Sequence, residues 1–521
     1  MGAMPAATGQ PSGVVASLLW PDGRAGPGPE VRPLTEAAAH DLQLAPLFEA
    51  LSRDAPWLAP WFATPCADVE TVVYRQQVAT ELEREEVATP LNDFSRRIQR
   101  VRQREEAAQR VPHPYVAESW FLTNAQRYLH ATTALVDELD ALQLDAPGLR
   151  RCRSALGAIV TGDRFRDLAS ATAAAQEAMD GVVYTVRVQT GRVTVDHDHG
   201  EPDLTAEVAA TFARFRTAPP REVERPQVEP GVDHVAARIL ELVADQHPEA
   251  FAALVDLHRH HRPLLDPTVA GLAREVPFYL TYHQRLQRIR AAGLPLCQPE
   301  LVAADAACSA EDSYDLAVAL KQLADGKPVV ANDWHLDPPE RLLVVTGANQ
   351  GGKTTFARAF GQLHHLASLG LPVPARRARV GLHDRLLTHF ERQERITTLR
   401  GKLEDELVRV HALLEQATPD SVVFLNETFS STTLQDAREL GTAVLERLER
   451  VGVRAVFVTF VDELASVGRA TVSMVATVAP DDPTVRTFRV VRRPPDGLAH
   501  AVALADRYGL TYEAIRDRSR P

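Results

Sequence analysis

Lysine is nearly missing from these 521 residues: Lys321, Lys327, Lys353 and Lys402 are the only four, although lysine and arginine together number 57. Arginine therefore carries the positive charge, and each lysine is a position to account for. Cysteine is equally sparse. Cys66, Cys152, Cys297 and Cys308 have neither metal-site spacing nor the density of a disulfide framework, which fits a reducing cytoplasm. No apolar run is long enough to span a bilayer, and residues 1–13 are small, polar and uncharged, unlike a signal peptide. The net charge of −12 offers no overall basic face for nucleic acid, though a local basic stripe is compatible with it.

What is present begins with length, which exceeds a single core and implies two or three domains. A Pro/Gly-rich lead occupies residues 1–34. From 35 to about 290 apolar residues recur at helical spacing, predicting long helices over 69–86, 89–110, 118–142, 164–179, 234–262 and 267–292. Such helices need partners along their length, as in a bundle or lever-like array. One stretch breaks the pattern: residues 182–195 alternate like strands and turn at Thr190-Gly191, predicting a β-hairpin.

The most informative stretch is 342–356. An apolar run ends at Thr346, a glycine-rich turn follows, and Lys353-Thr354-Thr355 opens a run of helix formers. This is the strand, loop and helix of a P-loop, with Gly347, Gly352, Lys353 and Thr354 at the defining positions. Its glycines let backbone N–H groups turn toward phosphate oxygens, and the helix N-terminus adds partial positive charge. Lys353 then faces the β- and γ-phosphates of ATP, and the Thr354 hydroxyl faces Mg²⁺. A second buried strand, 421–427, ends in Asn426-Glu427 and has the form of a Walker B strand.

The loop Thr346-Gly-Ala-Asn-Gln-Gly-Gly-Lys-Thr-Thr355 closely resembles that of the MutS family of DNA mismatch-repair ATPases, with Ala348, Asn349, Gln350, Gly351 and Thr355 filling its variable places. Residues 370–375 and 380–390 look like the segments that follow the P-loop helix in that family, and 328–336 like the strand pair that precedes it. Before that, the resemblance is one of helix pattern and of residues 74–78, which look like the start of the family's core domain. It implies an α-helical core/lever domain over 35–295, then an α/β P-loop NTPase domain of the ABC/MutS type over 296–521 that ends in dimerisation helices. It further implies ATP and Mg²⁺ as cofactors, a cytoplasmic homodimer and DNA as partner. The hairpin would then be either a reduced DNA clamp or a hairpin packed on the helices.

Departures from the family pattern sharpen the expectation. The usual Walker B Asp is Asn426, which accepts hydrogen bonds but brings no charge, so Mg²⁺ affinity and turnover should fall; Glu427 keeps the water-activating position. Phe460 stands where the family has a γ-phosphate-sensing His. Gly401 and Lys402 replace the Ser-Thr signature of the partner-facing helix. A lysine there opposes the helix dipole, so it either reaches the partner subunit's γ-phosphate or is a solvated surface residue. There is no room in this sequence for the family's mispair-wedge and connector domains, so recognition of mispairs by that route is not expected. A nucleotide-gated scaffold for a protein or ribosomal partner is the alternative function.

Three polar clusters stand beside these. Residues 196–201 suit a solvated turn better than a metal site; 258–262 suit a charged helix end or a phosphate contact. Arg96, Arg97, Arg100, Arg102, Arg104 and Arg110 form the densest basic run, with Glu105 and Glu106 interleaved against a DNA-facing role.

Overall fold

The computed structural model describes residues 16–24, 26, 32–189, 192–197, 234–391, 401–482 and 485–495. The chain divides into two compact units, one of residues 89–143 and 151–274, the other of residues 1–88, 144–150 and 275–521.

The first unit is helical with one hairpin. Helices Pro114–Asp140, Asp163–Asp180 and Pro248–His260 pack on one another, with Tyr128 edge-on to Phe165 and Tyr115 edge-on to Phe251. The helix expected over 234–262 is two helices, His234–Gln246 and Pro248–His260. Pro248 lacks the N–H that a continuous helix would need, and at a first helical turn that loss costs nothing. The hairpin forms from β1 (Tyr184–Gln189) and β2 (Arg192–His197), antiparallel with Val186 opposite Val195. Gln246 donates to the Val195 carbonyl at 2.9 Å, tying the hairpin to the adjacent helix. Its turn at 190–191, and residues 198–201 of the polar cluster, lie outside the described residues.

The second unit holds two sheets. A mixed sheet has the order β3 (Glu300–Val302), β7 (Arg377–Gly381), β4 (Cys308–Ser313), β5 (Asn332–Leu336). The six-stranded sheet contains β6 (Leu342–Gly347), β8 (Leu386–Phe390), β9 (Val422–Asn426), β10 (Arg454–Val458), β11 (Thr471–Val478) and β12 (Arg486–Arg492), in the order β12-β11-β6-β10-β9-β8. All neighbours are parallel except the edge strand β12, which runs antiparallel to β11. Strands β6, β9 and β10 are continuous apolar runs because helices cover both faces. On one face Leu342, Val344, Val423, Leu425 and Phe457 meet Val444, Leu445 and Leu448 of helix Leu434–Val451. The helix Lys353–Ser368 is buried on almost every side, and its Gly361 admits Leu42 so closely that an added Cβ would stand 2.6 Å from Leu42 Cδ2.

Several expectations needed correction. The stretch 328–336 forms one strand, not two; its partner is the upstream β4, with Cys308 opposite Leu336 and Ser313 opposite Asn332. Helix 69–86 ends at Glu81, and a new one runs Glu85–Ala108. Helix Pro147–Val160 is additional to the helices expected from the sequence. Here the proline starts the helix and the missing Cβ of Gly148 makes room for Val78 and Tyr74. Part of the expected flexible lead is an anchor instead: residues 16–20 are buried, with Ser17 Oγ and Leu18 N donating to the two carboxylate oxygens of Glu275 at 2.8 and 2.6 Å. Arg75 donates to the Leu19 carbonyl at 3.0 Å and stacks over Trp20. The sequence-drawn line at 295/296 also differs from the compact units, which join residues 1–88 and 275–295 to the sheets.

Burial holds four imidazoles of this unit neutral: His364 is pushed down to about 3, His283 and His365 to about 4, and His383 well below its usual value. In the unfolded chain each titrates near pH 6.5, roughly. Below that pH the unfolded state binds protons that the folded state refuses, so stability falls as pH drops. Buried Glu275, pushed up to about 7, acts in the opposite sense, as do Asp315 and Glu406, whose carboxyls burial also raises, three groups against four. The urea midpoint should therefore be lower at acidic than at neutral pH. His364→Phe, which keeps a ring beside Phe360 and Trp334, should flatten that slope; an identical slope would show the imidazole is not held neutral.

Candidate active site

The carboxyl ends of β6, β9 and β10 are level, with Val458 opposite both Val345 and Asn426. Their loops therefore leave the sheet at one edge, where open α/β sheets bind ligands. Between β6 and helix Lys353–Ser368 the chain turns through Gly347 (φ 101°), Gln350 (φ 61°) and Gly352 (φ 95°). Gly347 is required twice over, by its left-handed backbone and because a Cβ would lie 2.6 Å from the Ala476 carbonyl oxygen. Gly351 is closed in similarly, 2.8 Å from the Ala348 oxygen. Gly352 caps the helix with no side chain, so its first-turn N–H groups lack helix partners and can receive an anion.

Lys353 is buried and folds back over this loop. Its Nζ donates to the Gly347 oxygen at 2.9 Å, to Asn349 Oδ1 at 3.1 Å and to the Ala348 oxygen at 3.3 Å. Burial pushes its ammonium below the usual lysine range, Glu427 acts to raise it and Arg486 to lower it. Beside it Thr354 Oγ1 donates to Asn426 Oδ1 at 3.0 Å, uniting residues 72 apart in the chain. Thr355 follows on the same first turn, half-buried. Glu427 leaves β9 in a left-handed conformation (φ 54°), its N–H donating to the Val458 oxygen at 2.9 Å. Such backbone is uncommon outside glycine and clusters at functional sites.

Residues 343–501 match the model of MutS domain V. Over these residues the chain is similar to proteins of the MutS family. It is 39% identical over 140 residues to a DNA mismatch repair protein MutS of Zymomonas mobilis and 40% identical over 147 to that of Azorhizobium caulinodans, in each case 27% of this chain and 16% of the relative. With the MutS of Myxococcus xanthus it shares 33% identity over 201 residues, 35% of this chain and 22% of that protein. The matched part thus spans about a sixth to a fifth of the length of these curated relatives.

The remaining expected residues lie elsewhere on the MutS domain. Phe460 is exposed two residues beyond β10. Gly401 precedes helix Lys402–Gln416, and Lys402 pairs with Glu391 of the same chain at 2.6 Å. The dipole cost expected of this lysine is thus met by a carboxylate within the chain. The C-terminal helices expected after 496 lie outside the described residues.

Sequence reading missed two neighbours of the loop. Arg486 Nε donates to the Asn349 carbonyl at 3.0 Å, and Phe488, itself left-handed (φ 57°), lies 3.5 Å from where a Gly352 Cβ would be. Both arrive through the β6-β11-β12 pairing, which no motif encodes. Buried Thr346 Oγ1 and Thr428 Oγ1 have no hydrogen-bond partner among the described residues. These orphaned hydroxyls and the uncapped helix suit a polyanionic ligand with a hydrated cation.

Gly347→Ala should destabilise the domain by about 1–3 kcal/mol, the scale of a forced left-handed residue, plus a clash with Ala476. Urea unfolding of the two proteins checks this; equal midpoints would mean the turn relaxes.

Proposed function

We propose that this chain is a MutS-type ATPase that binds ATP with Mg²⁺, hydrolyses it slowly, and uses nucleotide state to open and close a homodimer on DNA. The observation that carries the reading is the Thr354–Asn426 hydrogen bond, which brings the hydroxyl and amide oxygens of the two motifs together beside Lys353. The first-turn N–H groups after Gly352 would receive phosphate oxygens, and Lys353 would exchange its loop carbonyls for the β- and γ-phosphates. Thr354 and Asn426 would hold Mg²⁺, whose charge, when bound, stabilises the phosphoryl oxygens. Glu427 would orient the attacking water and accept its proton. Gly401 and Lys402 of one subunit would complete the site of the other, with Lys402 leaving Glu391 for the γ-phosphate.

The neutral Asn426 in place of Asp, together with exposed Phe460 in place of the sensing His, favours low turnover. That is the support for the second reading, a nucleotide-gated scaffold for a protein or ribosomal partner.

Steady-state ATP hydrolysis, with and without duplex or branched DNA, separates the two. Lys353→Ala and Glu427→Gln should each reduce turnover by two orders of magnitude or more, roughly the scale of losing a charge-stabilising or proton-transfer group. Asn426→Asp should lower the Mg²⁺ concentration needed for half-maximal activity. ATP binding without turnover, indifferent to DNA, would move the assignment to the scaffold. Lys402→Ala with unchanged hydrolysis and dimerisation would remove the trans role of that residue.

A further inference from the structure

The basic run on helix Glu85–Ala108 reads ambiguously in the sequence because Glu105 and Glu106 interrupt it. The structure sorts these charges. Glu106 is taken by Arg102, paired at 3.0 Å. Glu105 is partly buried, with Arg262 the cation acting on it. Of the arginines left over, Arg96, Arg100 and Arg104 are spaced i, i+4, i+8 and so lie on one helix face over about 12 Å. All three are exposed, and residues 94–104 contain five arginines and no acid.

A fourth guanidinium joins from the next helix, Pro114–Asp140. Arg127 is exposed, residues 123–131 around it contain no carboxylate, and partial burial pushes it below the usual arginine range, with Arg104 and Arg100 acting in the same sense. Among the described residues none of these four lies within 4 Å of a carboxylate. Like charges gathered without a counter-ion repel one another, a cost that an anion on this face removes.

We propose that Arg96, Arg100, Arg104 and Arg127 form a docking surface for the phosphodiester backbone of duplex DNA, separate from the nucleotide loop. The inference rests on the DNA-binding reading above and adds where one contact is made. Exposed guanidiniums at regular helical spacing suit the repeating phosphates, contacts that fix position without reading sequence. An acidic protein segment is the competing occupant; it has no need of the regular spacing.

The test is binding of the full chain to a labelled random-sequence duplex across a salt series. Arg100→Gln/Arg104→Gln/Arg127→Gln should lower the slope of log Kobs against log salt by about 2.7, about 0.9 per lost phosphate contact. The corresponding lysine variants should keep the parent slope. Arg166→Gln should too, because Arg166 is exposed on helix Asp163–Asp180 and already paired with Asp163 at 2.7 Å. Triple-glutamine protein that is folded by circular dichroism and binds with the parent slope overturns this surface alone. A parent chain that binds no duplex overturns the DNA reading itself. Competition by polyglutamate as effective as by DNA, lost in the triple variant, overturns the surface in favour of an acidic protein partner.

Discussion

The level ending of three parallel strands is the constraint on which the site depends. β10 pairs with β6 on one side and β9 on the other, with Val458 opposite Val345 and Asn426. Two loops far apart in sequence are thereby delivered to one edge, where Thr354 meets Asn426 at 3.0 Å. Side chains alternate across a sheet, so a slip of one residue in β9 would carry Asn426 to the opposite face and end that contact. The buried aliphatic layers above and below the strands resist such a slip, because they pack to one register only.

Charge inside the site is set by the same geometry. Burial works against the Lys353 ammonium, while three oxygens of its own loop accept its hydrogen bonds and favour the charged form. Asn426 contributes an acceptor without a charge. In a partly dry site the difference between amide and carboxylate is amplified relative to water. Glu427 and Lys353 are then the principal opposing charges of the two motifs. The helix N-terminus supplies the remaining positive potential through uncapped N–H groups.

Much of the second unit was legible locally. The glycine turn, the apolar strands β6 and β9 and the following helix each carry a complete signal within about fifteen residues, and each formed where that signal lay. The hairpin was legible for the same reason. What escaped was non-local: Arg486 and Phe488 reach the loop only through an edge strand, and residues 16–20 became an anchor only because Glu275, 258 residues away, offers two acceptors to Ser17 and Leu18.

The sequence by itself determined the chemistry available: which residues carry hydroxyl, ammonium, amide and carboxylate groups, and that a glycine-rich turn would present them beside a helix start. It also determined the departures, Asn426 and Phe460, since identity needs no coordinates. Only the tertiary structure decided which of these groups meet. Lys402 turned to Glu391, Arg102 took Glu106 and left its neighbours unpaired, and residues 1–88 joined the sheets rather than the helices that follow them. The reason is physical: local preference is read over a few residues, whereas charge pairing and burial are settled between segments hundreds of residues apart, after the sheets have chosen their order.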